Sequence, residues 1–127
     1  MDNLATHRLH KEERLCSRKA LEELFRGGHP SVSSYPVRAV FKRSEQEGVR
    51  VMVSVSKRYF KRAVKRNAVK RQLREAYRLH KQLLLPMEGG LDVAFLWTSA
   101  ELLPTATVFR KVQNLLVRIH ENLSPDA

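Results

Sequence analysis

Cysteine is almost absent from this 127-residue chain: Cys16 stands alone, which excludes an internal disulfide and any all-cysteine zinc site. Apolar runs are only a few residues long, too short for a membrane-spanning helix. The opening Met1-Asp2-Asn3-Leu4 lacks the charged stretch and apolar core of a secretory signal, so a cytoplasmic address is expected. Low-complexity segments and internal repeats are missing too. The 13 acids are scattered, which leaves no clustered carboxylates for a protein-only nuclease. His7 and His10 have a spacing seen in metal sites, but no cysteine partner or carboxylate cluster accompanies them, so no protein-held metal is expected. The length fits one domain over residues 1–127, with 1–10 and 123–127 expected to be poorly ordered. At 43% hydrophobic residues such a chain can bury a core without staples.

Charge is what the chain does have, and it is concentrated. Lys and Arg number 24 against 13 Asp and Glu, a net +11. Eleven of those bases lie between Lys57 and Lys81, where Glu75 is the single acid. The rest of the chain carries 13 bases and 12 acids and is nearly neutral. A field focused on one short stretch implies a polyanionic partner, and nucleic acid fits best.

Pattern places the elements. Ser17 precedes Ala20, Leu21, Leu24 and Phe25 at helical spacing, and Gly27-Gly28 closes that short amphipathic helix. Val37 to Phe41 is β-rich, with Pro36 fixing its start. Val49, Val51, Val53 and Val55 alternate with Arg50, Met52, Ser54 and Ser56, and Ser44 to Gly48 reads as a hairpin loop between the two strands. Leu91, Val93, Phe95 and Trp97 give a later strand, with Trp97 and Phe95 as core residues. A last helix from about Thr107 presents Val108, Val112, Leu115, Leu116 and Ile119 and stops at Ser124-Pro125. The expected fold is α+β, a single-domain α/β sandwich with a mixed sheet, in the order α-β-β-α-β-α with room for one extra short strand.

A long helix is expected over roughly Lys61 to Leu85. At about 100° per residue, Val69, Leu73, Ala76, Tyr77, His80 and Leu84 form one apolar stripe. Asn67, Lys70, Arg71, Arg74, Arg78 and Lys81 form a separate polar arc. Arg66, Lys70, Arg74 and Arg78 repeat at i, i+4, where like charges repel at a cost of roughly 0.2–0.5 kcal/mol per pair. A solubility face mixes both signs, and this one does not. Asn67 sits on the arc with an amide that both donates and accepts, which suits a phosphate, a ribose hydroxyl or a base edge.

Ser54-Val55-Ser56-Lys57, followed by Ala63-Val64-Lys65-Arg66-Asn67-Ala68-Val69-Lys70-Arg71-Gln72-Leu73-Arg74-Glu75, closely resembles the signature of the bacterial ribonuclease P protein family. The resemblance implies a protein that binds a large catalytic RNA and precursor tRNA, whose 5′ leader the ribonucleoprotein removes. It implies that the RNA carries the chemistry with Mg²⁺ bound mainly by the RNA, that the protein has no catalytic residues, and that no membrane and no obligate protein partner are involved. It also implies a left-handed crossover through the basic helix between two parallel strands, against the usual right-handed rule. Carried over by motif, Arg66, Asn67, Lys70, Arg71 and Arg74 belong to the RNA interface, with Lys57 and Lys65 beside them and Arg78 further along the same arc. A cleft between the first helix and the sheet would hold the single-stranded leader, with Phe25 as one stacking ring and Tyr35 or Phe41 as another. Three features depart from the family pattern. Leu21 replaces an expected ring, Ala68 replaces an expected cation, and the turn after Lys57 is one residue longer and has Tyr59-Phe60 in place of its glycine.

Other functions stand beside this one. A ribosomal or RNA-assembly protein with no role in tRNA maturation would share the composition. A DNA-binding regulator would need a helix-turn-helix or a heptad seam, and neither accompanies the basic helix. Membrane-surface binding would need the apolar stripe that the core requires.

Overall fold

The computed structural model describes residues 24, 26, 29–45, 47–84 and 89–123. Strands β1 (Ser31–Ser34), β2 (Val37–Ser44) and β3 (Gly48–Val55) come first, then helix α1 (Ala63–His80) and a 3₁₀ turn (Lys81–Leu83). Strand β4 (Gly90–Trp97) and helix α2 (Thr105–Leu123) complete the order. Of the first expected helix only Leu24 and Arg26 are described. Cys16, Leu21, Phe25, the His7/His10 pair and the chain ends 1–10 and 124–127 lie outside the described residues. No helix among the described residues is long and apolar enough to cross a membrane.

The sheet is mixed, in the order β1-β2-β4-β3. The loop between Ser44 and Gly48 is therefore not a hairpin loop. β4 runs between β2 and β3, antiparallel to the first and parallel to the second. Burial explains the insertion. Every residue of β4 except Leu96 is buried, and a strand covered on both faces belongs at the centre of a sheet. β3 keeps Arg50, Met52 and Ser54 half-buried on one face and takes an edge. Gly48 (φ +99°) and Gly89 (φ +79°) adopt left-handed backbone, and the Gly48 amide donates to the Gly89 carbonyl at 3.1 Å, joining the entries of the two parallel strands.

Both helices cover one face. Val37, Ala39 and Phe41 of β2, the four valines of β3, and Leu91, Val93, Phe95 and Trp97 of β4 pack with Val69, Leu73, Ala76, Tyr77 and Leu84. Val108, Val112, Leu115, Leu116 and Ile119 of α2 join the same core. Fully burying a side chain of this size contributes about 1.5–3 kcal/mol. The opposite face carries Arg38, Val40 and Lys42 of β2 with Ala94 of β4, and there Leu24 packs on Val40 and Ala94 with Met52 and Leu96 beside it.

That parity moves Phe41. It shares a face with Val37 and Ala39, lies under the helices and is 1% exposed, so it is a core residue and not a ring of a cleft on the other face. The long helix is also shorter than its periodicity suggested. Arg62 is extended (φ −84°, ψ 131°) and His80 turns out of helical geometry (φ −119°, ψ 9°) into the 3₁₀ turn. Lys81, in that turn, is 7% exposed and does not extend the basic arc.

Candidate nucleic-acid interface

The interface starts where β3 ends. The Ser56 carbonyl accepts the amides of Tyr59 (3.1 Å) and Phe60 (3.4 Å), and its hydroxyl accepts the Arg58 amide (3.1 Å). These bonds close the turn without a glycine. Phe60 is buried in the core and Tyr59 packs at its margin, which leaves Lys57, Arg58, Lys61 and Arg62 pointing outward. Arg66 fixes the turn to the helix: its Nη1 donates to the carbonyls of Phe60 and Lys61, both at 2.8 Å.

α1 then begins with no side-chain cap on its first amides and no acid in its first turn. The uncapped end carries partial positive charge and suits an anion. Exposed Lys57, Arg58, Lys61, Arg62 and Lys65 surround it. Of these, Arg58, Lys61 and Arg62 belong to the basic stretch of the sequence, and the motif does not assign them to the interface. Their signal is the turn itself, which has few places to hide a long cation.

Along α1 the expected separation of faces is present. Val69, Leu73, Ala76 and Tyr77 are buried, whereas Asn67, Arg71 and Arg74 are exposed and Lys70 is half-buried. Among the described residues the side chains of Lys57, Lys65, Asn67, Lys70, Arg71 and Arg74 form no hydrogen bond or ion pair. Arg78 differs. It makes a two-pronged contact with Glu75, Nε to Oε2 at 3.2 Å and Nη2 to Oε1 at 2.7 Å. The hydrogen bond from Arg78 holds the Glu75 carboxyl below its ordinary value, partly offset by burial, and the same bond raises Arg78. His80 is a packing residue: its Nδ1 donates to the Ala76 carbonyl at 2.8 Å and its ring meets Phe109 edge-on.

On the opposite face of the sheet Asp92 is buried and gripped by Arg50, Nε to Oδ1 and Nη2 to Oδ2, both 3.0 Å. Tyr35 belongs to neither face. It lies in the β1–β2 turn, is 68% exposed, and lines a cavity with Thr107 and Lys111 of α2.

A row of cations without internal partners among the described residues, mounted on a helix that a sheet holds from behind, gives this α+β protein a face suited to a polyanion such as nucleic acid. A ribonuclease P family model matches residues 9–120. The chain is 40% identical over 134 residues to the ribonuclease P protein component of Porphyromonas gingivalis, covering all of this chain and 97% of that protein. It is 35% identical to the counterpart from Dictyoglomus turgidum, over 87% of this chain and 88% of that one. Among solved structures it resembles the ribonuclease P protein of Thermotoga maritima, with a TM-score of 0.70 and 25% identity, covering 84% of this chain and 96% of that one. The chain belongs to the ribonuclease P protein family.

Proposed function

We propose that this protein is the accessory subunit of a ribonucleoprotein endonuclease that removes the 5′ leader of precursor tRNA. Its exposed α1 arc binds the catalytic RNA, and the RNA performs the cleavage. The observation that carries this reading is the set of unpartnered cations: Lys57, Lys65, Lys70, Arg71 and Arg74, with Asn67 between them. A helix that leaves this much charge unneutralised within its own fold gains by meeting phosphates. Each phosphate that it neutralises releases condensed counterions and lowers the repulsion between two RNAs brought together.

Magnesium belongs to the RNA in this reading. Among the described residues no three His, Cys, Asp or Glu side chains gather to hold a metal ion, and buried Asp92 is committed to Arg50. The protein acts on the metal requirement indirectly, because cations on α1 take over part of the screening that Mg²⁺ would otherwise supply.

The leader is assigned to the sheet face away from the helices, where half-buried Met52 and Leu96 border the buried cluster of Leu24, Val40 and Ala94. Phe25 follows Leu24 in the chain but lies outside the described residues. Arg38 is exposed at one end of that cluster and the Arg50–Asp92 pair closes the other.

The test is cleavage of a leader-bearing precursor tRNA by a bacterial ribonuclease P RNA at low Mg²⁺, with and without this protein. Stimulated leader removal, with no cleavage by the protein alone, supports the reading. Tight RNA binding without stimulation of a cognate RNA would instead support a ribosomal or assembly role.

A further inference from the structure

Val37 and Val55 both pair with Trp97, so β2 begins where β3 and β4 end. The β1–β2 turn, the loop from β3 to α1, the loop from β4 to α2 and the first turns of both helices therefore share one end of the molecule. The Thr98 amide and hydroxyl both donate to the Pro36 carbonyl, at 2.8 and 3.0 Å, which fixes the β1–β2 turn against the end of β4.

Between that turn and α2 lies a cavity of about 240 Å³ walled by Tyr35, Pro36, Leu103 and Thr107, with Glu101 and Lys111 at its lining. At about 240 Å³ it is smaller than the roughly 300 Å³ at which pockets for whole small molecules begin, and it has room for a single ring. The Ser99 hydroxyl accepts the Glu101 amide at 3.0 Å and so shapes the loop that carries the carboxylate. Lys111 and Glu101 face the same space, yet they pair neither with each other nor with any other described side chain. The aromatic wall, Tyr35, is 68% exposed. Exposed Lys57, Arg58, Lys61 and Arg62 stand at the same end, so a ring offered here would arrive attached to a polyanion.

We propose that this cavity holds one unpaired base of an RNA strand. The base stacks on Tyr35, its amino edge donates to the Glu101 carboxylate, and the adjoining phosphate meets Lys111. The inference rests on the reading that the chain binds RNA. It adds a contact on the α2 side of the sheet, away from the face assigned to the leader. Stacking on an aromatic ring needs no particular sequence, whereas a carboxylate favours a base carrying an amino group.

The experiment measures binding of the full-length protein to a short cytidine oligoribonucleotide and to a short RNA duplex, whose paired bases cannot enter the cavity. Tyr35→Ala should weaken the oligonucleotide about fivefold or more and leave the duplex unchanged. Tyr35→Phe should bind both like the wild type, because the stack survives. Lys111→Ala should weaken the single strand with a shallower salt dependence. The proposal is overturned if Tyr35→Ala binds the oligonucleotide like the wild type or loses both RNAs equally. Arg74→Ala separates the two levels. If it weakens both RNAs while Tyr35→Ala changes nothing, only the base site fails; if the wild type binds neither RNA, the reading of the chain as an RNA binder fails with it.

Discussion

Arg66 ties its guanidinium to the carbonyls of Phe60 and Lys61, whereas Arg74, two turns further on, forms no hydrogen bond or ion pair with a described residue. Removing them should therefore have different consequences. Arg66→Ala should lower stability by roughly 1–3 kcal/mol and weaken RNA binding, because it releases the turn as well as a charge. Arg74→Ala should weaken RNA binding with an unchanged thermal melt. Parallel denaturation and binding measurements on the two variants check the contrast. Glu75 gives a pH test. Its carboxyl titrates below its ordinary value in the folded protein, so the Arg78 pair stabilises above the unfolded-chain pKa and that contribution is lost as pH falls through the lowered folded value. Thermal melts from neutral to acid pH should lose this component in Glu75→Gln, which should also bind RNA more tightly because it removes the single acid of the basic stretch. The Glu75–Arg78 pair was legible as an i, i+3 spacing. The Arg66 contacts were not, since they depend on how the preceding turn folds back.

At the scale of elements, alternation carries a long way. The valines of β3, the apolar side of α2 and the buried stripe of α1 stand where their periods place them. Strand order is another matter. The Ser44 to Gly48 segment looks like a hairpin loop because neighbouring strands usually pair, and no local pattern announces that β4, 35 residues beyond β3 by chain position (Val55 to Gly90), will enter between them. β1 has a single buried residue, Val32, and owes its extended form to its pairing with β2. Phe41 was ambiguous for the same reason: its face follows from strand register, which tertiary pairing decides. The crossing at the entry of β3 gives its own prediction. Gly48 has open space around its Cα, so Gly48→Ala meets no clash, but at φ +99° any side chain is strained. A loss of about 1–3 kcal/mol is expected in denaturant unfolding, with binding to RNA retained below the melt.

For the whole molecule, charge and fold divide the work. The core and the Arg50–Asp92 pair hold a nearly neutral body together, and α1 with its entry turn carries the excess of cations outward. The composition made that division visible. It could not show which cations are engaged inside the fold, and it gave no hint of the cavity beside Tyr35, whose walls come from three separate stretches of chain. The free cations of α1 are there to neutralise RNA phosphates in this reading. Its most direct test is the salt dependence of binding to the catalytic RNA, measured for the wild type, Lys70→Ala and Arg74→Ala. The wild type should show a steep slope of log affinity against log salt, made shallower by about 0.7–0.9 for each cation removed. A flat wild-type titration, or slopes that do not change in the two variants, would contradict it.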